Sequence, residues 1–461
     1  MKLNYNKSLF IFRHDLRIDD NIGLLNAAAQ SESIVLCFIF DEYQESNTEI
    51  FNNNNALQFM IESLQNLQNK LHENQGKLHL FNGKTETIIK DLIKHESIDA
   101  IFLNKSYIPS SIKQEEIIKE LCLKANIACE LSHDFLLNEP NTVKSLSGRP
   151  YEKFTPFFKN ASKFHAVAKP QKFKTANFYT KKIDSTVGTE IYKIILKEEN
   201  PRIDSHGGRD NGLKIFKNLK HYEDYDKERD YPNLEATTHL SAHLAFGTVS
   251  VREAYYAIKE ALGINHTLVK QLYWRDFFAH VAYYSPFVFG HSYQKKYDAL
   301  WWENDKKKFT AWCQGTTGFP IVDAGMRQLN ATGFMHNRVR MIVASFLTKD
   351  LHIDWRWGEK YFAQKLIDYD PAVNNGNWQW CASTGCDAQP YFRIFNPWLQ
   401  QKKFDNNCEY IKQWIPELKN IAAKTIHLWF KLTSPAIKEY PRPIVEHAKE
   451  SVLAKKLYKQ C

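Results

Sequence analysis

The stretch that decides the fold of the N-terminal part is IVLCFIF, residues 34–40, an unbroken apolar run of strand length. Four similar runs share the first 131 residues with it: Leu9 to Phe12, Leu78 to Phe81, Ile98 to Leu103 and Ile127 to Leu131. Helical patterns separate the runs, most clearly where apolar residues recur at spacings of three and four from Leu57 to Leu71. Strands that alternate with helices predict a doubly wound parallel sheet, an α/β fold that favours ligands at the carboxyl ends of its strands.

No nucleotide-binding loop marks this α/β region. The sequence contains neither GxGxxG nor GxxxxGK[ST], so it offers no dinucleotide fingerprint and no Walker loop. The charged stretch RHDLR, residues 13–17, follows the first predicted strand, where ligands are favoured. We interpret it chiefly as a salt-bridged contact between domains, with a ligand contact as the alternative.

The chain is long enough for two domains, because 461 residues exceed the size at which one hydrophobic core keeps growing. We expect an α/β domain over residues 1–131 and an all-helical domain over residues 202–461. The polar, Lys-rich residues 132–201 between them are predicted to be an interdomain connection. The clearest helical segments are Val251 to Leu262, Leu268 to Tyr284, Ile321 to Thr332 and Asn337 to Lys349.

The composition is that of a soluble globular protein, with 43% hydrophobic and 25% charged residues. No apolar window is long enough to span a membrane, and the N-terminus lacks the pattern of a secretory signal. We therefore expect a cytoplasmic protein with no membrane partner. The eight cysteines show no metal-ligand spacing, which favours free thiols and argues against a metal site.

Net charge and aromatic content bear on the partner. A charge of +9 suits a polyanion such as DNA, but also a surface that is merely solubilising. Of the 11 tryptophans, ten lie between Trp274 and Trp414, so the helical half carries an unusual amount of stacking surface. The aromatic content favours the nucleic-acid interpretation.

The segment IDYDPAVNNGNWQW, residues 367–380, concentrates groups that a redox heterocycle needs. Asp368 and Asp370 are acceptors, Asn374 carries an amide that can donate or accept, and Trp378 and Trp380 offer large π systems. We expect its Asn/Gly stretch to form a turn.

Three further clusters could contribute to a site. Residues 237–241 (TTHLS) place hydroxyls beside a predicted helix start, an arrangement that cradles phosphate oxygens. Arg338 and Arg340 lie on different faces of one helix, so that one could pair with a carboxylate and the other with an external anion. Trp274 and Arg275 lie on another predicted helix, where the alternative is a core tryptophan flanked by a surface ion pair.

Taken together, these stretches resemble the photolyase/cryptochrome family, most closely the class I cyclobutane pyrimidine dimer photolyases of bacteria. The resemblance also rests on FIFRHDLRIDDNIGL (residues 10–24), YEKFTPFFKNA (151–161), LSAHLAFGTVS (240–250), LYWRDFF (272–278), the long stretch from residue 318 to 362, and CASTGCDAQPYFRIFNPWLQQKKFD (381–405). It implies a DNA-repair enzyme, a photolyase, that is driven by blue light, binds FAD in the helical domain and acts as a monomer on damaged DNA.

The resemblance implies a set of FAD contacts. Arg340 would pair with Asp368 beside the isoalloxazine ring, Asp370 would accept from ring N3–H, and Asn374 would face N5. Leu268 stands where close relatives carry a tryptophan. The full set is Tyr225, Thr237, Thr238, His239, Leu240, Ser241, Leu268, Arg275, Asn337, Arg340, Asp368, Tyr369, Asp370 and Asn374.

The same resemblance implies residues for electron transfer and for DNA. Trp378, Trp355 and Trp302 match the chain of tryptophans that carries electrons from the surface, with Trp301 as a neighbouring candidate for the last step. The residues that match positions contacting DNA or the flipped-out dimer are Arg229, Gln271, Trp274, Asn337, Arg338, Met341, Trp380 and Gln400.

One departure bears on the lesion. Cyclobutane-dimer enzymes carry a glutamate where this chain has Gln271, and glutamine is what (6-4) photolyases and animal cryptochromes have there. Those proteins also have a histidine pair where this chain has Asn337 and Met341, so cyclobutane-dimer repair is our interpretation. A (6-4) photolyase or a cryptochrome-type photoreceptor is the alternative, although the short tail after the helical region favours repair over signalling. We expect Gln271 to support repair less efficiently than glutamate, because an amide cannot usefully give up its proton.

The second departure concerns a light-harvesting antenna. The loop YIPSS, residues 107–111, lacks the Asn-Glu pair of folate-binding members. Methenyltetrahydrofolate is thus in doubt, and a deazaflavin, another flavin or no antenna remain open.

Overall fold

A computed structural model describes residues 3–41, 52–387, 393–432 and 437–461. Its N-terminal part contains one parallel sheet in the order β3-β2-β1-β4-β5. The strands are β1 (Tyr5–Phe12), β2 (Ser31–Phe40), β3 (Leu78–Asn82), β4 (Ala100–Asn104) and β5 (Ala128–Ser132). The predicted doubly wound α/β fold is confirmed.

The apolar runs are unbroken because both faces of the central strands are buried. On one face Phe10 lies in register with Leu36 and Phe102, and these side chains share a core with the helix at 54–73. On the other face Leu9 and Val35 pack with the helices at 85–96 and 109–125. Alternate residues of one run therefore belong to two different cores.

Within the described residues, four helices cover this sheet and lie in its crossovers. Asn side chains cap the first two, since Asn21 accepts from Leu24 N and Asn53 accepts from Ala56 N. The helices are α1 (Ile22–Gln30), α2 (Asn54–Glu73), α3 (Thr85–Glu96) and α4 (Pro109–Ala125).

The remaining regular elements of the described chain are helices, and outside the five strands its β-structure consists of isolated bridges, Ile34 to Phe178 and Leu80 to Val187. The predicted all-helical C-terminal part is confirmed. The α-helices are α5 (Phe154–Phe164), α6 (Ile191–Ile195), α7 (Arg209–Lys217), α8 (Tyr225–Glu228), α9 (Leu240–Ala245), α10 (Val251–Leu262), α11 (Thr267–Tyr284), α12 (Lys306–Gln314), α13 (Pro320–Thr332), α14 (Asn337–Lys349), α15 (Trp355–Ala363), α16 (Pro371–Ala382), α17 (Pro397–Phe404), α18 (Glu409–Trp414), α19 (Ala423–His427) and α20 (His447–Lys459). Short 3-10 turns occur at Leu219–Tyr222, Pro286–Val288, Lys295–Ala299, Pro416–Leu418 and Trp429–Lys431.

The charged stretch after β1 joins the sheet to the helical part, which agrees with our preferred interpretation of it. Arg17 pairs with Asp134 at 2.6 Å, and its Nη1 donates to the Gly247 carbonyl. Arg252 of α10 pairs with the same Asp134 at 2.7 Å and with Asp20 at 2.9 Å. All four charged side chains are almost completely buried, so each depends on its partners.

The crevice between β1 and β4, where the strand order reverses, is filled by its own polar side chains. Asn104 Nδ2 donates to Asp15 Oδ2 at 2.5 Å and to Asn21 Oδ1 at 2.8 Å, and Asn104 Oδ1 accepts from Gly23 N at 2.9 Å. Arg13 bonds to the Asn104 carbonyl and to a nearby glutamate. We call this set, residues 13, 15, 21, 23 and 104, the switch-point network.

The described residues show neither a membrane span nor a metal-binding cluster, and their cysteines are not bridged. None of the described helices is long and apolar enough to cross a bilayer. Within the same residues, no group of three or more His, Cys, Asp or Glu side chains could hold a metal ion. All eight cysteines lie in described segments and are free thiols.

Candidate active site

The segment at 367–380 is helical where we expected a turn, and that prediction was wrong. Its residues from Pro371 onward form the first ten of the twelve in α16. Asp370 caps the helix by accepting from Ala372 N at 3.0 Å and Val373 N at 3.1 Å, and Pro371 occupies the first turn, where it is tolerated. The cap and tertiary packing override the weak helix propensity of the Asn/Gly residues.

Two glycines allow the helices around this segment to pack closely. A Cβ added to Gly376 would lie 2.1 Å from the ring of Phe278, where α16 crosses α11. A Cβ added to Gly358 would lie 2.1 Å from the indole of Trp378, where α15 meets α16. Both glycines therefore serve close approach within helices.

Asp368 and Arg340 form an ion pair at 3.0 Å. Arg340 is further fixed because its Nε donates to the Met335 carbonyl at 2.7 Å. The Asp368 carboxylate is 7% exposed, and its Oδ1 is buried without a hydrogen-bond partner among the described residues. A buried acceptor without a donor is costly, so this oxygen suits a bound group that carries an N–H or O–H.

Asn374 is oriented by the backbone of α15. Its Nδ2 donates to the Glu359 carbonyl at 3.2 Å, which leaves the side-chain oxygen as the atom offered to a ligand. The next residue, Asn375, donates to Glu359 Oε1 at 2.9 Å and to the Val288 carbonyl at 3.0 Å. These bonds fix the first turns of α16 against α15 and against the loop that follows α11.

The TTHLS stretch begins a helix, as predicted, since α9 starts at Leu240. His239 precedes it in the left-handed conformation, with φ of 52°. Its Nδ1 contacts Asp204 Oδ2 at 2.6 Å, and its ring stacks on Phe334 with centroids 4.4 Å apart. Thr237 and Thr238 are partly buried, and Ser241 is exposed.

Other predicted cofactor residues occupy different surroundings. Arg275 donates to the carbonyls of Phe135 at 2.7 Å and Leu244 at 3.3 Å, so it links α11 to the segment after β5. Leu268 is a buried core residue at the start of α11. Tyr225 and Tyr369 are partly buried.

The three predicted electron-transfer tryptophans differ in burial. Trp378 and Trp355 are buried, and Trp302 is partly exposed. No direct ring-to-ring contact among these three occurs in the described part of the chain. Trp378 instead contacts Phe362 (centroids 4.9 Å apart) and Trp312 (6.2 Å). Trp301, the alternative for the last step, is exposed.

Trp274 and Trp380 lie on the two helices that cross at Gly376. Each is one turn from the crossing residues, Phe278 on α11 and Gly376 on α16. Phe154 stacks on the Trp274 indole, with centroids 3.6 Å apart and planes 7° apart. Gln271, one turn before Trp274, is partly buried and has no hydrogen bond to any described residue. Its amide is therefore available to a ligand.

The predicted DNA contacts on α14 are close to one another. Asn337 is exposed, and its Nδ2 lies 3.8 Å from the sulfur of Met341. Arg338 pairs with Asp230 at 2.8 Å and lies 4.4 Å from the centre of the Phe404 ring. Both Arg338 and Arg340 thus pair with carboxylates, whereas we expected one of them to be free for an anion.

Two further residues were assigned to DNA from the sequence. The Arg229 guanidinium lies 5.7 Å from the centre of the Tyr225 ring. Gln400 of α17 has a buried Oε1 with no partner among the described residues.

The sequence by itself did not reveal the contacts of three residues that shape this site. Glu359 orients Asn374 and Asn375, and Phe154 stacks on Trp274.

The third residue, Asp276, is fully buried and accepts from the N–H groups of two residues after β5, at 3.2 and 3.0 Å. Burial raises the pKa of Asp276 to about 7. The alternative of a surface ion pair beside Trp274 is therefore wrong. No local pattern signals these roles, because each partner is distant in sequence.

Fold and site together define a class of protein, in which a parallel α/β part is joined to a helical part. In the helical part the Arg340–Asp368 pair keeps one buried oxygen without a partner among the described residues, and such an acceptor fits a flavin. The family model described as the FAD binding domain of DNA photolyase matches residues 268–460, and the model described as DNA photolyase matches residues 8–175. The deoxyribodipyrimidine photo-lyase of Agrobacterium fabrum is 35% identical, over 95% of this chain and 94% of its own. That of Escherichia coli is 35% identical, over 96% of each. The chain belongs to the DNA photolyase family.

Two solved structures have the same fold. The photolyase from Sulfolobus tokodaii, whose crystal structure contains two FAD molecules, is 41% identical with a TM-score of 0.89, covering 99% of this chain and 100% of its own. The class III photolyase from Agrobacterium tumefaciens is 33% identical with a TM-score of 0.92, covering 100% of this chain and 98% of its own.

Proposed function

We propose that this protein is a deoxyribodipyrimidine photo-lyase, which uses light and FAD to repair cyclobutane pyrimidine dimers in DNA. The observation that carries the proposal is the Arg340–Asp368 pair, whose Asp368 Oδ1 is buried without a partner among the described residues, together with the Asn374 amide that Glu359 orients. The names of the full-length relatives support the reaction class. When bound, reduced FAD supplies the photoexcited electron that splits the cyclobutane ring.

Three residues are proposed to contact the flavin ring. Asp368 accepts from the ring edge and is held in place by its ion pair with Arg340. Asn374 presents its oxygen to the ring, because Glu359 already accepts from its Nδ2. Asp370 has one oxygen engaged in the helix cap and one remaining for the ring N3–H.

The remaining cofactor contacts are proposed for the diphosphate and ribityl region and for the rest of the same pocket. The start of α9 supplies hydroxyls and N–H groups to the diphosphate. The complete proposed set is Tyr225, Thr237, Thr238, His239, Leu240, Ser241, Leu268, Arg275, Asn337, Arg340, Asp368, Tyr369, Asp370 and Asn374.

The lesion is proposed to bind between the tryptophans of α11 and α16. Trp274 and Trp380 offer aromatic faces to the flipped-out dimer, and Met341 adds a thioether contact. Arg229, Arg338 and Gln400 contact the DNA, and Asn337 faces both cofactor and lesion. Trp302, Trp355 and Trp378 carry electrons inward from the surface.

Gln271 is proposed to donate a hydrogen bond from its amide to a carbonyl of the dimer. An amide donates at any pH but cannot transfer its proton, so Gln271→Glu should raise the repair yield on a cyclobutane-dimer oligonucleotide. The measurement is repair per absorbed photon at matched flavin content. An unchanged or lower yield in the variant contradicts this role for Gln271.

The test of the function uses two lesions. Purified protein is reduced and illuminated with blue light in the presence of oligonucleotides that carry either a cyclobutane dimer or a (6-4) photoproduct. We expect repair of the first and not of the second. Repair of the second alone would assign the (6-4) activity, and repair of neither would favour a photoreceptor.

We also propose an oligomeric state, a location and a domain organisation for the protein. The protein works as a monomer in the cytoplasm, and residues 1–131 form a domain that can carry a second chromophore, joined by residues 132–201 to the repair domain at 202–461. The two FAD molecules of the Sulfolobus tokodaii photolyase support a second flavin over methenyltetrahydrofolate. Chromatography of the released cofactors identifies the second chromophore, and gel filtration gives the oligomeric state.

A further inference from the structure

A buried lysine ends α14. Lys349 is the last residue of that helix, and its Nζ donates to Ser383 Oγ at 2.8 Å and to the Arg393 carbonyl at 2.5 Å. Burial lowers the pKa of Lys349 to about 7. An ammonium group is expensive to bury, so its contacts must offset a large loss of hydration.

The ammonium group lies at the C-terminal end of α16. Ser383 directly follows that helix and is in the left-handed conformation, with φ of 62°. Its N–H donates to the Trp380 carbonyl at 3.2 Å. The last carbonyls of a helix carry partial negative charge, so a cation is favourable there. Lys349 therefore stabilises the end of α16 that carries Trp380.

The second contact of Lys349 bears on the same tryptophan. The residue whose carbonyl it binds, Arg393, has its guanidinium 5.9 Å from the centre of the Trp380 ring. Arg393 is exposed and Trp380 is partly buried. A guanidinium over an indole attracts the ring electrostatically and restricts its rotation. Arg393 therefore favours one orientation of Trp380.

Lys349 also connects two sides of the proposed lesion site. The helix that it ends, α14, begins with Asn337 and contains Met341, and we propose both as lesion contacts. A helix of 13 residues is about 20 Å long and stiff. Through one ammonium group this helix is attached to the backbone both at Ser383 and at Arg393.

We propose that Lys349 is a positioning residue for lesion binding, which holds the Arg393 guanidinium over the Trp380 ring that meets the flipped-out dimer. This role rests on the proposed function, because it takes the dimer as the stacking partner of Trp380. A ring that is already ordered loses less conformational entropy when the dimer stacks on it. Lys349 should therefore act on the affinity for the lesion and not on the reaction that follows.

The test is a double-mutant cycle with Lys349→Met and Arg393→Ala. Methionine has a side chain of similar length but no hydrogen-bond donor, and Arg393→Ala changes an exposed residue. Two quantities are measured: the affinity for a duplex with one cyclobutane dimer, and the repair yield of the bound complex per absorbed photon. Circular dichroism and flavin content establish that each variant folds.

Each single variant should bind the dimer duplex about tenfold more weakly, because Trp380 is then less ordered before binding. The double variant should also lose about tenfold, whereas independent effects would multiply to about a hundredfold. The repair yield of the bound complex should not change. Lys349→Met should weaken the binding of undamaged duplex less, since no dimer is present there to meet Trp380.

Lys308→Met is the control, because Lys308 is a partly buried lysine that instead pairs with Glu303, at 2.8 Å. Its effect on affinity should be small and should add to that of Arg393→Ala. Ser383→Ala replaces Lys349→Met if the latter does not fold, because it removes only one of the two Nζ contacts. It should lose about threefold in affinity, and only when Arg393 is present.

A loss of about a hundredfold in the double variant overturns the proposal, because Lys349 would then act independently of Arg393. Unchanged affinity in Lys349→Met overturns it as well. If the wild type binds the dimer duplex selectively but repairs no lesion, the proposed function fails, while the cycle still decides the role of Lys349. Equal binding of damaged and undamaged duplex by the wild type overturns both.

Discussion

Two polar regions of the molecule differ in how their buried groups are satisfied. In the switch-point network, Asn104 uses three hydrogen bonds to join Asp15, Asn21 and Gly23. Of the buried side-chain atoms of this network, only Arg13 Nη1 has no partner among the residues that the structure describes. In the helical half, Asp368 Oδ1 and Gln400 Oε1 are buried and unpartnered within the described residues.

The difference shows that the position where a fold usually binds ligands need not be the ligand site of a particular protein. The crevice at a strand-order reversal is where an open α/β sheet usually binds ligands, yet here side chains close it. Buried acceptors without donors are costly, so the persistence of these two oxygens indicates a site that a ligand completes. The switch-point network should therefore govern the stability of the protein, and the polar groups of the helical half should govern ligand binding.

The largest effect is expected from Asn104→Ala in the switch-point network. The substitution removes hydrogen bonds from three buried groups, at about 1–3 kcal/mol each, and should lower the free energy of unfolding by about 4 kcal/mol. Flavin bound per folded molecule should not change. Urea unfolding and flavin absorbance measure the two quantities.

The matched control is Asn82→Ala, an exposed asparagine at the end of β3. It should alter stability little. Loss of flavin from folded Asn104→Ala protein would contradict the separation of the two regions.

The next effect concerns Asp276, which connects α11 to the segment after the sheet. Its folded pKa of about 7 exceeds its usual value because of burial, so the folded state holds the proton more tightly than the unfolded state. This contribution to stability is complete below about pH 4 and is lost as pH rises through 7, by about 4 kcal/mol.

The asparagine of Asp276→Asn cannot titrate. The unfolding free energy of the wild type, minus that of the variant, should therefore fall by that amount from pH 4 to pH 7.5. Denaturant unfolding at several pH values gives the difference. A difference that is constant with pH would show that Asp276 does not titrate in this range.

Gly376→Ala tests the helix crossing that underlies the binding region. The added Cβ would lie 2.1 Å from the Phe278 ring, and overpacking of this kind costs about 2 kcal/mol. Because α16 also carries Asn374, we expect weaker flavin binding as well, which distinguishes this variant from Asn104→Ala. Thermal unfolding with and without added FAD measures both effects.

Asn377→Ala is the control for that variant, since it changes an exposed residue of the same helix. If both variants behave alike, the close approach of α11 and α16 is not what limits flavin binding.

The smallest effect on stability is expected from Asp368→Asn. Arg340 keeps contact with water and with the Met335 carbonyl, so the cost should be about 1 kcal/mol. Flavin affinity should fall about tenfold, because a charge-assisted acceptor is lost. Equilibrium titration with FAD reports the affinity.

Asp226→Asn removes an exposed carboxylate and serves as the charge-matched control. Unchanged FAD affinity in Asp368→Asn would exclude this carboxylate as a flavin contact.

The sequence predicted most of the fold and part of the site. The five apolar runs predicted the parallel sheet, and the TTHLS stretch predicted a helix start that the structure has at Leu240. The turn expected around Gly376 was wrong, because local propensity cannot register that Phe278 of α11 requires a residue without a side chain there. The pairing of Arg338 with Asp230 was also missed, since the two residues are over a hundred positions apart.

The sequence by itself determined the periodicities, the motifs and the concentration of tryptophans, because these depend only on the order of residues. Tertiary structure alone decided which polar groups are satisfied. Asn104 and Asp368 have equally polar side chains, but one is enclosed by Asp15, Asn21 and Gly23, between the end of β1 and the first turn of α1, while the other retains a buried oxygen without a partner among the described residues. Hydrogen bonding acts over about 3 Å in space, and distance along the chain does not determine it.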